Sequence, residues 1–130
     1  MTSVQKGEIA QLKVQQRAVE LGYTVSIPTV DCRYDLIIDD NSSLTIVQIK
    51  YADGKAHGKS VRVYLSSRHK NNTLKYKKEE IDLVLVYVPK IDKILQIKAE
   101  QFHDKDNIDI RIEKIEGSPL RFNWYENYLW

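Results

Sequence analysis

The stretch YDLIIDDNSSLTIVQIK, residues 34–50, contains two short apolar runs, YDLIID at 34–39 and LTIVQIK at 44–50, separated by DNSS at 40–43. Asp, Asn and Ser side chains hydrogen-bond nearby backbone and favour a reversal of the chain. A hairpin closing about Asn41 and Ser42 sets Asp35 directly across from Gln48. Side chains alternate with period two along a strand, so Gln48 and Lys50 leave the second arm on one face, and Val47 and Ile49 on the other. The stretch predicts a β-hairpin on which a carboxylate, a carboxamide and an amine converge.

The flanking sequence predicts what this hairpin belongs to. From Ser3 to about Leu21 the apolar residues Ile9, Leu12, Ala18, Val19 and Leu21 recur near helical spacing, and Gly22 stands where a helix C-terminal glycine belongs. Tyr23 to Ile27 alternates as a strand does, and Pro28 closes it. Downstream, Ser60 to Leu65 reads as a further strand, and SSRHKNNTLKYKKEE at 66–80 as a polar, basic, mobile loop. The run IDLVLVYV at 81–88 has no polar alternation after Asp82, which predicts a strand covered on both faces, with helices above and below the sheet. Ile94–Lys98 and Ile108–Ile112 read as strands, AEQFHD at 99–104 as a short helical turn, and the aromatic tail RFNWYENYLW as a segment that docks on the core or on a second subunit. The expectation is an α/β fold, a central mixed β-sheet flanked by α-helices, forming one domain over residues 1–130.

The 130 residues carry a net charge of +2, from 20 basic and 18 acidic side chains, but the charge is unevenly spread. Between Tyr51 and Glu80 there are eight basic residues against three acidic ones, a surplus of five that leaves the rest of the chain at −3. An anionic polymer is the partner such asymmetry suits. The lone Cys32 excludes an internal disulfide and has no neighbour with which to build a zinc site, which fits a free, half-buried thiol in a reducing compartment. No apolar run is long enough to span a bilayer and the N-terminus lacks the order of a secretion signal, so the expectation is a cytoplasmic protein with no membrane partner.

The hairpin chemistry is that of a hard cation. Mg²⁺ takes oxygen ligands and keeps several of its waters, so one or two protein carboxylates and a substrate phosphate suffice. Asp35 is the first ligand, the Gln48 amide oxygen a second, the Ile49 backbone carbonyl a third, and Glu8 reaches the site if the N-terminal helix crosses the end of the sheet. Lys50 would activate or orient an attacking water and neutralise charge in a pentacovalent transition state. Each residue alone has an ordinary explanation: strand-end charges are commonly solvated, and a first-turn Glu favours the helix dipole. The conjunction is the signal, and it points to hydrolysis of DNA phosphodiesters.

The order KGE at 6–8, LGYTVSIP at 21–28, YDL at 34–36, VQIK at 47–50 and EIDLVLVYVP at 80–89 resembles the PD-(D/E)XK nuclease superfamily, and within it the group I intron-associated homing endonucleases. Archaeal Holliday junction resolvases share the helix-then-hairpin core. The resemblance implies a restriction-endonuclease-like core in which Glu8 matches the helix acid, Asp35 the metal-binding aspartate, Gln48 the position usually held by Glu or Asp, and Lys50 the lysine. Gln48 departs from the wider superfamily and matches the intron-associated branch. What the family implies is Mg²⁺-dependent cleavage of double-stranded DNA, with Mn²⁺ a possible substitute, by a homo-oligomer, a dimer or tetramer.

Candidate phosphate contacts are Lys55, Lys59, Arg62, Arg68, Lys70, Lys75, Lys77 and Lys78. Arg62 and Arg68 are the expected base readers, because Arg pairs bidentately with guanine, and Asn71 and Asn72 are candidates for adenine. His57, in a glycine-bearing loop, is a further candidate phosphate contact, with a solvated loop histidine as the plainer reading. Rival readings are a structure-specific nuclease resembling a Holliday junction resolvase and a non-catalytic DNA-binding module of the same fold.

Overall fold

The computed structural model describes residues 1–54, 58–69, 72–114, 117 and 123–130. Helix α1 (Ser3–Glu20) is followed by β1 (Thr24–Ser26), β2 (Leu36–Asp39), β3 (Leu44–Tyr51), β4 (Ser60–Tyr64), β5 (Ser66–His69), β6 (Asn72–Lys75), β7 (Leu83–Val88) and β8 (Lys93–Lys98). Helix α2 (Ala99–Phe102), β9 (Asn107–Arg111) and a 3₁₀ turn at Tyr125–Tyr128 complete the chain. A five-stranded sheet runs β1-β2-β3-β7-β8, with β3 and β7 parallel and the other neighbours antiparallel. The central mixed sheet of an α/β fold is therefore present.

Helix α1 is bounded at both ends as its sequence dictates. Thr2 and Gln5 form a reciprocal capping box, Thr2 Oγ1 accepting from Gln5 N–H at 3.1 Å and Gln5 Oε1 from Thr2 N–H at 2.8 Å. At the other end Gly22 takes φ +81°, its N–H donates to Val19 O at 2.9 Å, and Tyr23 N–H donates to Ala18 O at 2.9 Å. That paired closure needs the left-handed conformation glycine adopts without penalty. The buried face of the helix differs from expectation. Ala10, Val14 and Ala18, four residues apart, are buried, whereas Leu12 and Val19 are exposed. Small residues let the helix axis approach the sheet closely, and the larger apolar side chains lie outside that contact.

The β2–β3 hairpin has the expected register. Leu36 pairs with Val47 and Asp39 with Leu44, and the ladder ends at Leu36: the Asp35 N–H donates to Val47 O, so the expected pairing of Asp35 across from Gln48 is not continued as a regular rung. Its turn is pinned by Asp40, whose Oδ1 accepts from Ser42 N–H at 2.9 Å, Ser42 Oγ at 2.8 Å and Ser43 N–H at 2.8 Å, holding the Asp40 carboxyl down at about 2. Asn41 takes φ 73°, a conformation Asn tolerates better than most residues.

Strand β7 is buried on both faces, as its apolar run requires. One face meets α1 through a cluster of Ala10, Val14, Leu36, Ile38, Val47, Ile49, Leu85 and Tyr87. The other face is covered chiefly by the antiparallel ribbon β4–β9, with α2 and the C-terminal turn, rather than by a second long helix. Val61, Val63 and Ile110 supply the ribbon's apolar side, and Phe102 and Tyr128 come from α2 and the turn. Residues 124–130 of the aromatic tail thus dock on the chain's own core, where Trp130 N–H donates to Ile94 O at 3.0 Å and Gln96 Nε2 to Leu129 O at 3.0 Å.

The largest departure concerns residues 66–80. The expected mobile loop contains the paired strands β5 and β6, with Ser66 opposite Lys75. Apart from Leu74 the residues of β6 are polar, and the strand is exposed throughout, so no alternating buried face announces it in the sequence. Cys32 is exposed rather than half-buried. Among the described residues, no helix is long and apolar enough to cross a membrane.

Candidate active site

The site forms where β2 begins. Asp35 N–H donates to Val47 O at 2.9 Å, the last backbone link of that edge, and Asp35 Oδ2 then accepts from Ile49 N–H at 2.7 Å. The carboxylate thus takes the place of a strand backbone at the point where the chain departs. The N–H and C=O of one strand residue project to the same edge, so the Ile49 carbonyl is turned toward the side where Asp35 lies.

Glu8, Asp35, Gln48 and Ile49 line one cleft of ≈ 270 Å³, completed by Val4, Gly7 and Gln11 of α1. Helix α1 crosses the sheet so that its first half overhangs this edge, which brings Glu8 over residues 27 and 40 positions away in sequence. Lys50 stands beside the cleft. Its Nζ donates to Ser66 O at 3.0 Å and lies 5.0 Å from the ring centre of Tyr76.

Burial dominates the electrostatics. It pushes the Asp35 carboxyl above the usual carboxylate range, against the opposing effects of the Ile49 N–H and the Lys50 charge, with Asp31 adding a little repulsion. Burial likewise lowers the Lys50 ammonium, and Asp35 opposes the shift. Asp35 and Lys50 therefore share one weakly solvated region, and each favours the charged form of the other. Tyr76 is raised, first by its own burial and then by the Asp35 charge.

The donor set fits a hard divalent cation. Carboxylate, carboxamide and carbonyl oxygens are available together, without sulfur or imidazole. Among the described residues no cluster of three or more His, Cys, Asp or Glu exists.

The basic residues divide into distinct settings. Lys59, Lys77 and Lys78 are exposed, and Lys75 makes a loose ion pair with Asp106 at 3.6 Å. Arg68 lies on β5 opposite Thr73. Arg62 is engaged within the fold: Nε and Nη2 donate to the two carboxylate oxygens of Asp109 at 2.8 and 3.0 Å, across the β4–β9 ribbon. With Nε and Nη2 already facing a carboxylate, the Asp109 pairing competes with the base-reading role expected of Arg62. Lys55, His57, Lys70 and Asn71 lie outside the described residues.

Sequence reasoning missed three contributors. Ser66 and Tyr76 flank Lys50, and Tyr76 is the sole aromatic in the stretch 66–80, an available cue. Asp82 joins β7 to β3, its N–H donating to Ile46 O at 2.9 Å and its Oδ2 accepting from Ile46 N–H at 2.9 Å.

Comparison with known proteins identifies the fold and the family. The structure of a bacterial homing endonuclease, I-Ssp6803I, superposes with a TM-score of 0.81 at 22% identity, covering 99% of this chain and 89% of that one. The Holliday junction resolvase Hjc of Archaeoglobus fulgidus superposes with a TM-score of 0.54 at 12% identity, covering 82% of this chain and 84% of that one. No curated protein matches significantly in sequence. These likenesses establish a shared restriction-endonuclease-like fold, and the model of the PD-(D/E)XK endonucleases matches residues 1–130. An acid-and-amide cleft beside a strand-borne lysine, in that fold and under that match, makes this chain a member of the PD-(D/E)XK endonuclease family.

Proposed function

We propose that the protein is an Mg²⁺-dependent endonuclease that hydrolyses both strands of duplex DNA at a specific site, in the manner of a homing endonuclease, with Mn²⁺ able to replace Mg²⁺. The observation that carries this reading is the single cleft lined by Glu8, Asp35, Gln48 and Ile49 with Lys50 beside it. A cation held there supplies positive charge to the scissile phosphate and acidifies the attacking water.

The protein's own residues do the rest. Asp35 keeps one carboxylate oxygen fixed by the Ile49 N–H, which restrains the side chain as it offers its remaining lone pairs. Gln48 and the Ile49 carbonyl add neutral oxygens, and Glu8 brings a second negative charge from the helix. Lys50 holds an ammonium near the phosphate, where charge accumulates during in-line displacement. Lys59, Lys75, Lys77 and Lys78, with Arg68 on the ribbon, supply phosphate contacts along the duplex. Cutting two strands with one site per subunit calls for a homo-oligomer, a dimer or tetramer. A single free cysteine suits a reducing cytoplasm.

Substrate choice provides the test. With Mg²⁺, the protein should cut linear duplex at least as fast as a four-way junction of the same sequence. Strong preference for the junction would assign it to junction resolution. Salt-sensitive binding with no cation-dependent cleavage of any DNA would leave a binding module.

A further inference from the structure

The polar ribbon β5–β6 meets the lysine-bearing arm at its base. Tyr76 N–H donates to Leu65 O at 3.1 Å, closing the base of the ribbon one step beyond the Ser66–Lys75 pair. The Ser66 carbonyl and the Tyr76 ring thus stand on the two sides of that base, and both touch the Lys50 ammonium, at 3.0 Å and at 5.0 Å from the ring centre. Tyr76 is only 4% exposed, and among the described residues its buried hydroxyl has no hydrogen-bond partner. The buried ring turns a face to the Lys50 ammonium, and an aromatic face attracts a cation.

A carbonyl and an aromatic face hold an ammonium without neutralising it. A carboxylate in the same place would cancel the charge. Of the three ammonium donors, one is spent on Ser66, and the others are available to what enters the cleft. Resting on the nuclease reading above, we propose that Tyr76 is a positioning residue: its ring seats the Lys50 ammonium so that the charge faces an incoming phosphate. The ribbon that carries Arg68 and Lys75 then also fixes the reacting lysine, linking the DNA-contacting surface to the site mechanically.

Two substitutions in the full chain test this. Tyr76→Phe keeps the ring, and Tyr76→Leu keeps apolar bulk without it, with Tyr76→Met as the substitute if the leucine variant fails to fold. In cation-free protein, the ring should displace the Lys50 ε-methylene proton resonances upfield, an effect retained by Phe and lost with Leu. At saturating duplex and Mg²⁺, the Phe variant should cleave near the parent rate. The Leu variant should be slower by about 10- to 100-fold, the scale of a misplaced reacting group, with unchanged duplex affinity. Unshifted Lys50 resonances in the parent, or a folded Leu variant cleaving at the parent rate while the parent is active, would overturn the proposal. A parent that shows the upfield shift yet cuts no DNA with any divalent cation would instead overturn the nuclease reading and leave the ring seat standing.

Discussion

The two hairpins of this protein are built on opposite principles. In β2–β3, Leu36, Ile38, Val47 and Ile49 bury one face against α1, and Asp40 locks the turn. A one-residue slip of either strand would drive its two apolar side chains to the other face, so the register is strongly specified. In β5–β6, residues 72–75 are all exposed, and the ribbon is tied to the rest of the molecule at its base by Lys50, Ser66, Leu65 and Tyr76. The first hairpin carries its own reason to fold, while the second depends on the structure that receives it. The cleft draws Asp35, Gln48 and Ile49 from the first, and its lysine rests against the second.

That contrast predicts unequal responses to truncation. Leu36→Ala removes a fully buried side chain and should cost roughly 2–5 kcal/mol, measured by denaturant unfolding. Leu74→Ala, on the exposed strand β6, should stay within about 0.5 kcal/mol. Comparable losses at the two positions would remove the distinction between a self-specified and a borrowed hairpin.

The basic surface beyond the ribbon should affect binding and leave stability alone. Replacing Lys77 and Lys78 together with Ala should reduce the slope of log affinity against log salt by about 2 if both meet phosphates, since each contact contributes about 0.9 on B-DNA. An unchanged slope would place the duplex elsewhere.

A smaller effect links pH to the cleft. Because burial raises the Asp35 pKa in the folded state, the folded protein holds that proton more tightly than the unfolded chain does. The stability contributed by protonated Asp35 is therefore lost as pH rises through its folded pKa, and a cation that binds the carboxylate should offset the loss. Adding Mg²⁺ should raise Tm modestly at pH 7.5 and less, or not at all, at pH 4.5, as calorimetry can record. An equal or larger rise at the lower pH would contradict the assignment of Asp35 as a ligand.

Much of this architecture is legible in the chain because local and global preferences agree. The Gly22 stop of α1, the β2–β3 register and the doubly buried β7 each follow from a pattern shorter than twenty residues. What stays hidden depends on distant partners. Arg62 is recognisable as a structural ion pair only once β9 brings Asp109 opposite it, and the choice of Ala10, Val14 and Ala18 over Leu12 and Val19 depends on how close the helix lies to the sheet. Asp35, Gln48 and Lys50 are legible as candidates because they share the hairpin, whereas Tyr76 lacks any periodic partner and emerges through its contact with Lys50.

The most direct measurement is single-turnover cleavage of a randomised duplex library with Mg²⁺ by the parent protein and by Lys50→Ala. The parent should make cation-dependent cuts at a restricted set of sequences, and the variant should lose on the order of 10²-fold or more in rate, with duplex binding retained. Cleavage by Lys50→Ala at the parent rate, or none by the parent with any divalent cation, would contradict this.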